Sequence, residues 1–170
     1  MKRRYTRAEE EKAIDTIYRY FPDAGLSADL ICGFPGETQA DFEDSVSLVR
    51  YARLLHTHIF PFSPREGTLA AKMDGKVSEE EKKNRCARLL SVAKEESLRF
   101  AEKRKGRVYQ VLCERIRDGF MFGYTENFIY TKTPVTGDIR VGNIYPVKLT
   151  GSGEFSVETL ILSGQIAENS

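Results

Sequence analysis

Two short stretches carry residue types that could hold a small molecule. Gly33-Phe34-Pro35-Gly36-Glu37-Thr38 joins two glycines, which let backbone approach a ligand and adopt positive φ, to a stiffening proline and a helix start. The same residues also suit a plain strand-to-helix turn in which Glu37 favours the helix dipole. Their spacing is neither that of a P-loop nor that of a dinucleotide fingerprint, so nucleoside triphosphate binding is not expected. Phe60-Pro61-Phe62-Ser63-Pro64-Arg65-Glu66-Gly67-Thr68 offers ring faces to a flat ligand and, in Arg65, a guanidinium for phosphate or carboxylate. It reads equally well as core aromatics followed by a Pro-Gly loop. His56 and His58 share one strand face but lack a third ligand, and the expectation there is packing, not metal. The three cysteines, Cys32, Cys86 and Cys113, are odd in number and widely spaced, which argues against a disulfide framework and for packing roles in a reducing compartment.

A second group of residues suits nucleic acid. Phe120, Phe122, Tyr124, Phe128 and Tyr130 occupy alternating positions on neighbouring strands, so several rings can form one face for unpaired bases while about half fill a core. From Arg107 onward there are 6 Lys or Arg against 7 acidic residues, so binding there leans on stacking more than on charge. Lys132, Arg140 and Lys148 could reach phosphates. The stretch Arg99, Lys103, Arg104, Lys105 and Arg107 is the stronger basic patch, although it also suits a helix end that complements its own dipole.

These residues need elements to position them. Thr6-Arg7-Ala8-Glu9 is a capping box opening a helix through Ala13, Ile14, Ile17, Tyr18 and Phe21, which Pro22 stops. Leu26 to Cys32 reads as a strand buried on both faces. Thr38 and Asp41 cap a helix carrying Phe42, Val46, Val49 and Ala52, and His56 to Phe62 gives a second strand. Helix, strand, helix, strand implies parallel pairing with one sheet edge left open. Ser78 opens a long helix through Cys86, Leu89, Leu90, Ala93 and Phe100, ending near Gly106. Beyond it, Arg107 to Glu114, Phe120 to Thr125, Phe128 to Thr133, Val141 to Leu149 and Ser156 to Leu162 predict a five-stranded, OB-like barrel. The chain therefore divides into an α/β part, residues 1–105, and a small all-β part, residues 106–170.

With 170 residues, 41% hydrophobic and 30% charged, the chain has a globular composition, and its net charge of +1 excludes a globally basic nucleic-acid coat. No run approaches 18 apolar residues, so no membrane partner is expected and the chain reads as cytoplasmic.

The motifs in this order resemble the methylthiotransferases of the radical S-adenosylmethionine enzymes. The resemblance rests on Arg3-Arg4-Tyr5-Thr6, Ala28 to Thr38, and Phe60 to Met73, while Gly123-Tyr124-Thr125-Glu126-Asn127-Phe128 is similar to that family's RNA-binding TRAM domain. The Phe-Pro-Phe-Ser-Pro-Arg-Glu-Gly-Thr stretch and the Gly-Tyr-Thr-x-Asn run look most like the branch acting on threonylcarbamoyladenosine beside the tRNA anticodon. The branches acting on isopentenyladenosine or on a ribosomal protein are close seconds.

The resemblance implies that residues 1–105 supply the last strands of a partial (β/α) barrel, with residues 106–170 as a TRAM-like barrel. It implies that Gly33, Phe34, Pro35, Gly36 and Glu37 lie near the adenosyl group of S-adenosylmethionine, with Phe60 and Phe62 lining the same pocket. Arg65, Lys103, Arg104, Arg107, Tyr124, Asn127, Phe128, Lys132 and Lys148 are the expected contacts to the tRNA anticodon stem-loop. The family's chemistry also needs 4Fe-4S clusters, one held by a Cys-x-x-x-Cys-x-x-Cys loop that these residues lack. The expectation is a carboxyl-terminal piece that binds cofactor weakly at most, is catalytically silent alone, and has the missing amino-terminal half as partner.

Overall fold

The computed structural model of the chain describes residues 4–156 and 159–167. It separates into two compact units, Met1–Glu96 and Ser97–Ser170, and the division falls within a long helix, ahead of Gly106.

In the first unit, α1 (Arg7–Tyr20) starts at the expected capping box: the Glu9 carboxylate accepts from the Thr6 N–H at 2.7 Å, and the Glu9 N–H donates to Thr6 Oγ1 at 3.3 Å. Hydrogen bonds from the Thr6 backbone and hydroxyl hold the Glu9 carboxyl below its ordinary range. A matching box, Thr38 with Asp41, opens α2 (Gln39–Ala52), which buries Phe42, Val46, Val49 and Ala52 along one stripe. α3 (Glu79–Glu102) starts where Ser78 Oγ accepts from the Glu81 N–H at 3.1 Å, and contributes Leu89, Val92 and Ala93. Together with Cys32 and Leu54 these residues form the core, each fully buried large side chain contributing about 2–3 kcal/mol. α1 lies against α2: Arg7 donates to the Asp44 carbonyl at 2.8 Å, and Tyr18 Oη donates to the Ala52 carbonyl at 2.8 Å.

β1 (Ser27–Cys32) and β2 (His56–Pro61) pair in parallel, from Ser27 opposite His56 to Cys32 opposite Pro61. The expectation that β1 is buried on both faces is overturned, because burial alternates along it. Ala28, Leu30 and Cys32 point into the helix-covered core together with Ile59, whereas Ile31 on the other face is 39% exposed. The helices cover one face only. A parallel sheet with an uncovered face is an incomplete layer. His58 lies exposed on that open face instead of packing, opposite Asp29, and Phe60 lies opposite Ile31.

The second unit is a six-stranded mixed sheet, not a five-stranded one. Its strands are β3 (Val108–Leu112), β4 (Arg115–Arg117), β5 (Phe120–Tyr124), β6 (Tyr130–Pro134), β7 (Ile144–Ser156) and β8 (Thr159–Ile166), ordered β3-β7-β8-β6-β5-β4. The predicted first strand stops at Leu112, and Arg115–Arg117 turns back to pair with β5 as an extra short strand. β6 and β8 run parallel; the other pairings are antiparallel. The sheet curls until a bridge between Val111 and Thr125 brings β3 to the end of β5. Gly123 makes this approach possible, since a Cβ there would overlap the Leu112 carbonyl oxygen. Val111, Cys113, Met121, Val147, Leu149, Leu160 and Leu162 fill the interior with Thr131 and Thr133. None of the described helices is long and apolar enough to cross a membrane.

Candidate functional site

The loop after β1 is held by polar bonds that its sequence only partly suggested. Gly33 and Gly36 both have positive φ, 73° and 82°. At Gly33 a side chain would also meet the Lys82 methylenes, so strain and space both demand glycine. Glu37 does not serve the helix dipole. Its Oε2 accepts from the Gly33 N–H at 2.8 Å and from Arg85 at 2.6 Å, and Arg85 also reaches the Glu37 carbonyl at 3.1 Å and Glu81 at 2.8 Å. Both members of the Arg85–Glu37 pair are about nine-tenths buried. Burial works against the Arg85 charge, but hydrogen bonds to Glu37 and Glu81 more than offset it, and its pKa rises. Glu37 Oε2 is thus engaged within the protein and ties the loop to α3. A further bond, Gly36 N–H to the Gly75 carbonyl at 2.9 Å, ties in the loop before α3.

The two loops meet as expected. The Phe34 and Phe62 rings contact edge to face, with centroids 5.1 Å apart, and the Phe62 N–H donates to the Cys32 carbonyl at 2.7 Å. Beside them lies a cavity of about 630 Å³ lined by Ile31, Phe34, Phe60, Phe62, Arg65 and Thr68, among others. Gly33 and Pro35 line a smaller adjoining hollow of about 120 Å³ with Lys76 and Lys82, and Phe62 lines both. Of the residues expected around the adenosyl group, then, Phe34, Phe60 and Phe62 share one cavity with Arg65, while Gly33, Pro35, Gly36 and Glu37 shape the loop behind it. Sequence reasoning missed Arg85 and Lys82. Both look like solvated helix positions in an acidic-basic run, and only the fold shows them buried.

The three cysteines pack as expected. Cys32 and Cys113 are buried, and Cys86 packs half-buried against the core that holds Cys32. Among the described residues no three His, Cys, Asp or Glu side chains come together as a metal site. Burial pushes the Cys32 thiol up from 9.0 to about 12, with the Cys86 thiol beside it adding to the shift. The unfolded chain therefore ionises this group first. Its stabilising share is complete below pH 9 and is lost as pH rises from there toward 12. Thermal melts should show a smaller fall between pH 8 and 10 in Cys32→Ala than in the parent chain; equal slopes would refute this.

On the second unit the rings lie differently from expectation. None of the five fills the interior. Phe120, Phe122 and Tyr124 alternate with buried Met121 and Gly123, and Tyr130 and Lys132 face the same way on β6. Tyr124 lies 4.7 Å from Tyr130 and 6.4 Å from Phe128, and Phe122 stacks with Tyr130 at 6.3 Å and 26°. Arg115 sits 4.8 Å over the Phe122 ring and Lys132 4.5 Å over Phe120. Burial, with Glu114 and Tyr130 nearby, raises the Tyr124 pKa, so the phenol stays neutral.

Two expected RNA contacts are corrected. Arg104 is buried, its guanidinium 3.2 Å from the Phe100 ring centroid and donating to the Phe100 carbonyl at 2.9 Å. Asn127 is buried too, its Oδ1 accepting from Thr125 Oγ1 at 2.6 Å inside a turn. Lys103, Arg107 and Lys148 are exposed, Lys148 on β7 away from the rings.

No protein-family model matches the chain. The tRNA-2-methylthio-N(6)-dimethylallyladenosine synthase of Symbiobacterium thermophilum is 36% identical over 161 residues, which cover 93% of this chain and 34% of the relative. The chain is a tRNA methylthiotransferase homologue. The threonylcarbamoyladenosine tRNA methylthiotransferase MtaB of Thermotoga maritima is as similar, 37% identical over 158 residues covering 92% and 36%. A third relative, the dimethylallyladenosine-type synthase of Aquifex aeolicus, is 34% identical over 163 residues covering 95% and 37%. The chain thus spans about a third of the length of the methylthiotransferases it matches. A solved multidomain protein with nucleic acid binding domains from Streptococcus pneumoniae covers 39% of this chain and 24% of its own at 17% identity and a TM-score of 0.32, too slight a likeness to bear on the fold.

Proposed function

We propose that the chain is the carboxyl-terminal part of a radical S-adenosylmethionine tRNA methylthiotransferase, in which the first unit walls a cofactor pocket and the second, TRAM-like, unit binds tRNA. The observation that carries this is the match to such enzymes over more than nine-tenths of the chain, spanning both units. The open face of β1 and β2 supports it, because further strands and a further chain segment would complete the layer as a (β/α) barrel with Ile31 and Phe60 facing inward. The cavity suits the cofactor's adenosyl end: Phe34, Phe60 and Phe62 offer aromatic walls to a flat base, and Arg65 offers a guanidinium to a carboxylate.

The residues present do not suit an iron–sulfur cluster, since Cys32, Cys86 and Cys113 are packing residues and Cys113 belongs to the other unit. We assign no chemical step to this chain alone; its part is to hold and orient. Isothermal titration with S-adenosylmethionine should give weak heats or none, and micromolar affinity would overturn this. The decisive genetic test is the reading frame ahead of Met1. An in-frame Cys-x-x-x-Cys-x-x-Cys stretch supports the assignment, and its absence leaves RNA binding as the activity to be tested.

We take the substrate to be threonylcarbamoyladenosine beside the anticodon, on the likeness of the Phe60 to Thr68 and Gly123 to Phe128 stretches to that branch. The relatives include the dimethylallyl type at the same identity. Nucleoside mass spectrometry of tRNA from a strain with the gene disrupted separates the two, because the lost methylthio derivative names the branch.

A further inference from the structure

The turn joining β5 to β6 holds an exposed aromatic residue in a conformation that costs energy. Phe128 has φ 65°, in the left-handed region that residues with a Cβ avoid, and the residue is 64% exposed. Buried polar bonds enforce this. Thr125 Oγ1 donates to Asn127 Oδ1 and accepts from the Ile129 N–H at 2.9 Å, while the Phe128 N–H donates to the Thr125 carbonyl at 3.0 Å. Glycine would adopt this backbone without strain, so the exposed ring, tilted against Tyr124, is held in place at the cost of that strain.

What Phe128 adjoins gives a reason. It continues the ring series Tyr124, Tyr130 and Phe122, with Arg115 over Phe122 and Lys132 over the neighbouring Phe120. At the far end lies a hollow of about 250 Å³ lined by Phe120, Lys132, Thr150, Ile161 and Ser163, where an ammonium and two hydroxyl-bearing residues could meet a phosphate and ribose. The acidic groups nearby are Glu126, in the same turn and accepting from the Gln110 N–H at 2.9 Å, Glu114, beside Tyr124, and Asp118, engaged by Arg117. Alternate strand residues stand about 6.8 Å apart. Bases in an RNA duplex are already paired and stacked on one another, whereas those of a single strand can be splayed onto protein rings.

We infer that the outer face of β5 and β6, ended by Phe128, is a stacking platform for unpaired RNA bases, with Arg115 and Lys132 engaging the intervening phosphates. The inference rests on the reading that the second unit binds RNA, and names the part of the RNA it takes and the side chains that take it.

The test is fluorescence anisotropy on the full chain with a labelled oligouridylate of about ten nucleotides, a blunt RNA duplex of equal length, and whole tRNA. The single strand should bind more tightly than the duplex. Phe128→Ala should weaken single-strand binding about five- to a hundredfold, and Phe128→Tyr should restore it. Lys132→Gln should make the salt dependence shallower by about one in log–log slope. Phe128→Gly is the sharpest variant: releasing the left-handed strain should raise the melting temperature while affinity falls. Equal binding of single strand and duplex, or an unchanged affinity in Phe128→Ala, overturns the platform. If tRNA still binds equally to both proteins, RNA recognition stands without it; if tRNA binds neither while the oligomer does, the platform stands and the tRNA reading falls.

Discussion

Replacing Arg85 with alanine is expected to open the first unit, and a thiol reagent should then label Cys32 between about two and four orders of magnitude faster than in the parent chain. Arg85 is the hub joining the loop after β1 to the start of α3, with bonds to the Glu37 carboxylate, the Glu37 carbonyl and Glu81. Removing it leaves the Glu37 carboxylate nine-tenths buried with only the Gly33 N–H. Breaking a buried pair from one side costs about 3–5 kcal/mol, and each 1.4 kcal/mol is about tenfold in an opening equilibrium. Arg85→Lys should recover only part of the loss, because an ammonium cannot fork between three acceptors on two elements. Removing both charges, Arg85→Met with Glu37→Gln, should cost less than Arg85→Ala. Cys32 is 2% exposed and belongs to this core, so it reports on this unit. Unchanged Cys32 protection in Arg85→Ala would show that the pair does not hold the loop.

Gly123→Ala should do to the second unit what Arg85→Ala does to the first. The added methyl overlaps the Leu112 carbonyl, a backbone atom with no rotamer to change, so β3 must move off β5 and the Val111–Thr125 bridge must break. A cost of about 3 kcal/mol is expected, the upper part of the overpacking range, and should raise Cys113 labelling about a hundredfold. Cys113 is fully buried in this unit's core, so its protection should fall while that of Cys32 holds. Normal Cys113 protection in Gly123→Ala would mean that the curl of the sheet does not depend on this approach.

Local signals in the sequence were reliable wherever the chemistry was local. Thr6 with Glu9 and Thr38 with Asp41 are complete capping boxes, and Phe42, Val46, Val49 and Ala52 are the buried stripe their spacing described. What failed depended on partners the sequence does not display. An apolar run such as Leu26 to Cys32 reads as buried on both faces, yet only one face of β1 is covered. About half of the rings of Phe120, Phe122, Tyr124, Phe128 and Tyr130 were expected inside; the interior is filled instead by Tyr109, Met121, threonines and branched residues of β3, β7 and β8, and none of the five is buried. Arg104 and Asn127 are polar residues in exposed-looking contexts that the fold buries, one over Phe100 and one beneath the turn. At the loop after β1 the glycines and phenylalanines were legible, whereas Arg85 lies 48 residues from Glu37 in sequence and gives no local sign of the bond.

The parallel pairing of β6 with β8 sets an order of assembly. β5 with β6 and β7 with β8 are neighbours along the chain and can close early, at small loop-closure cost. Tyr130 to Lys132 can meet Ile161 to Ser163 only after about thirty residues have been brought round, so the central seam of the sheet must form by docking two finished hairpins. Substitutions within either hairpin should therefore slow folding of this unit, whereas those at the β6–β8 seam should chiefly speed its unfolding. On this ordering the exposed rings of β5 and β6 gather on one surface before the interior behind them is sealed.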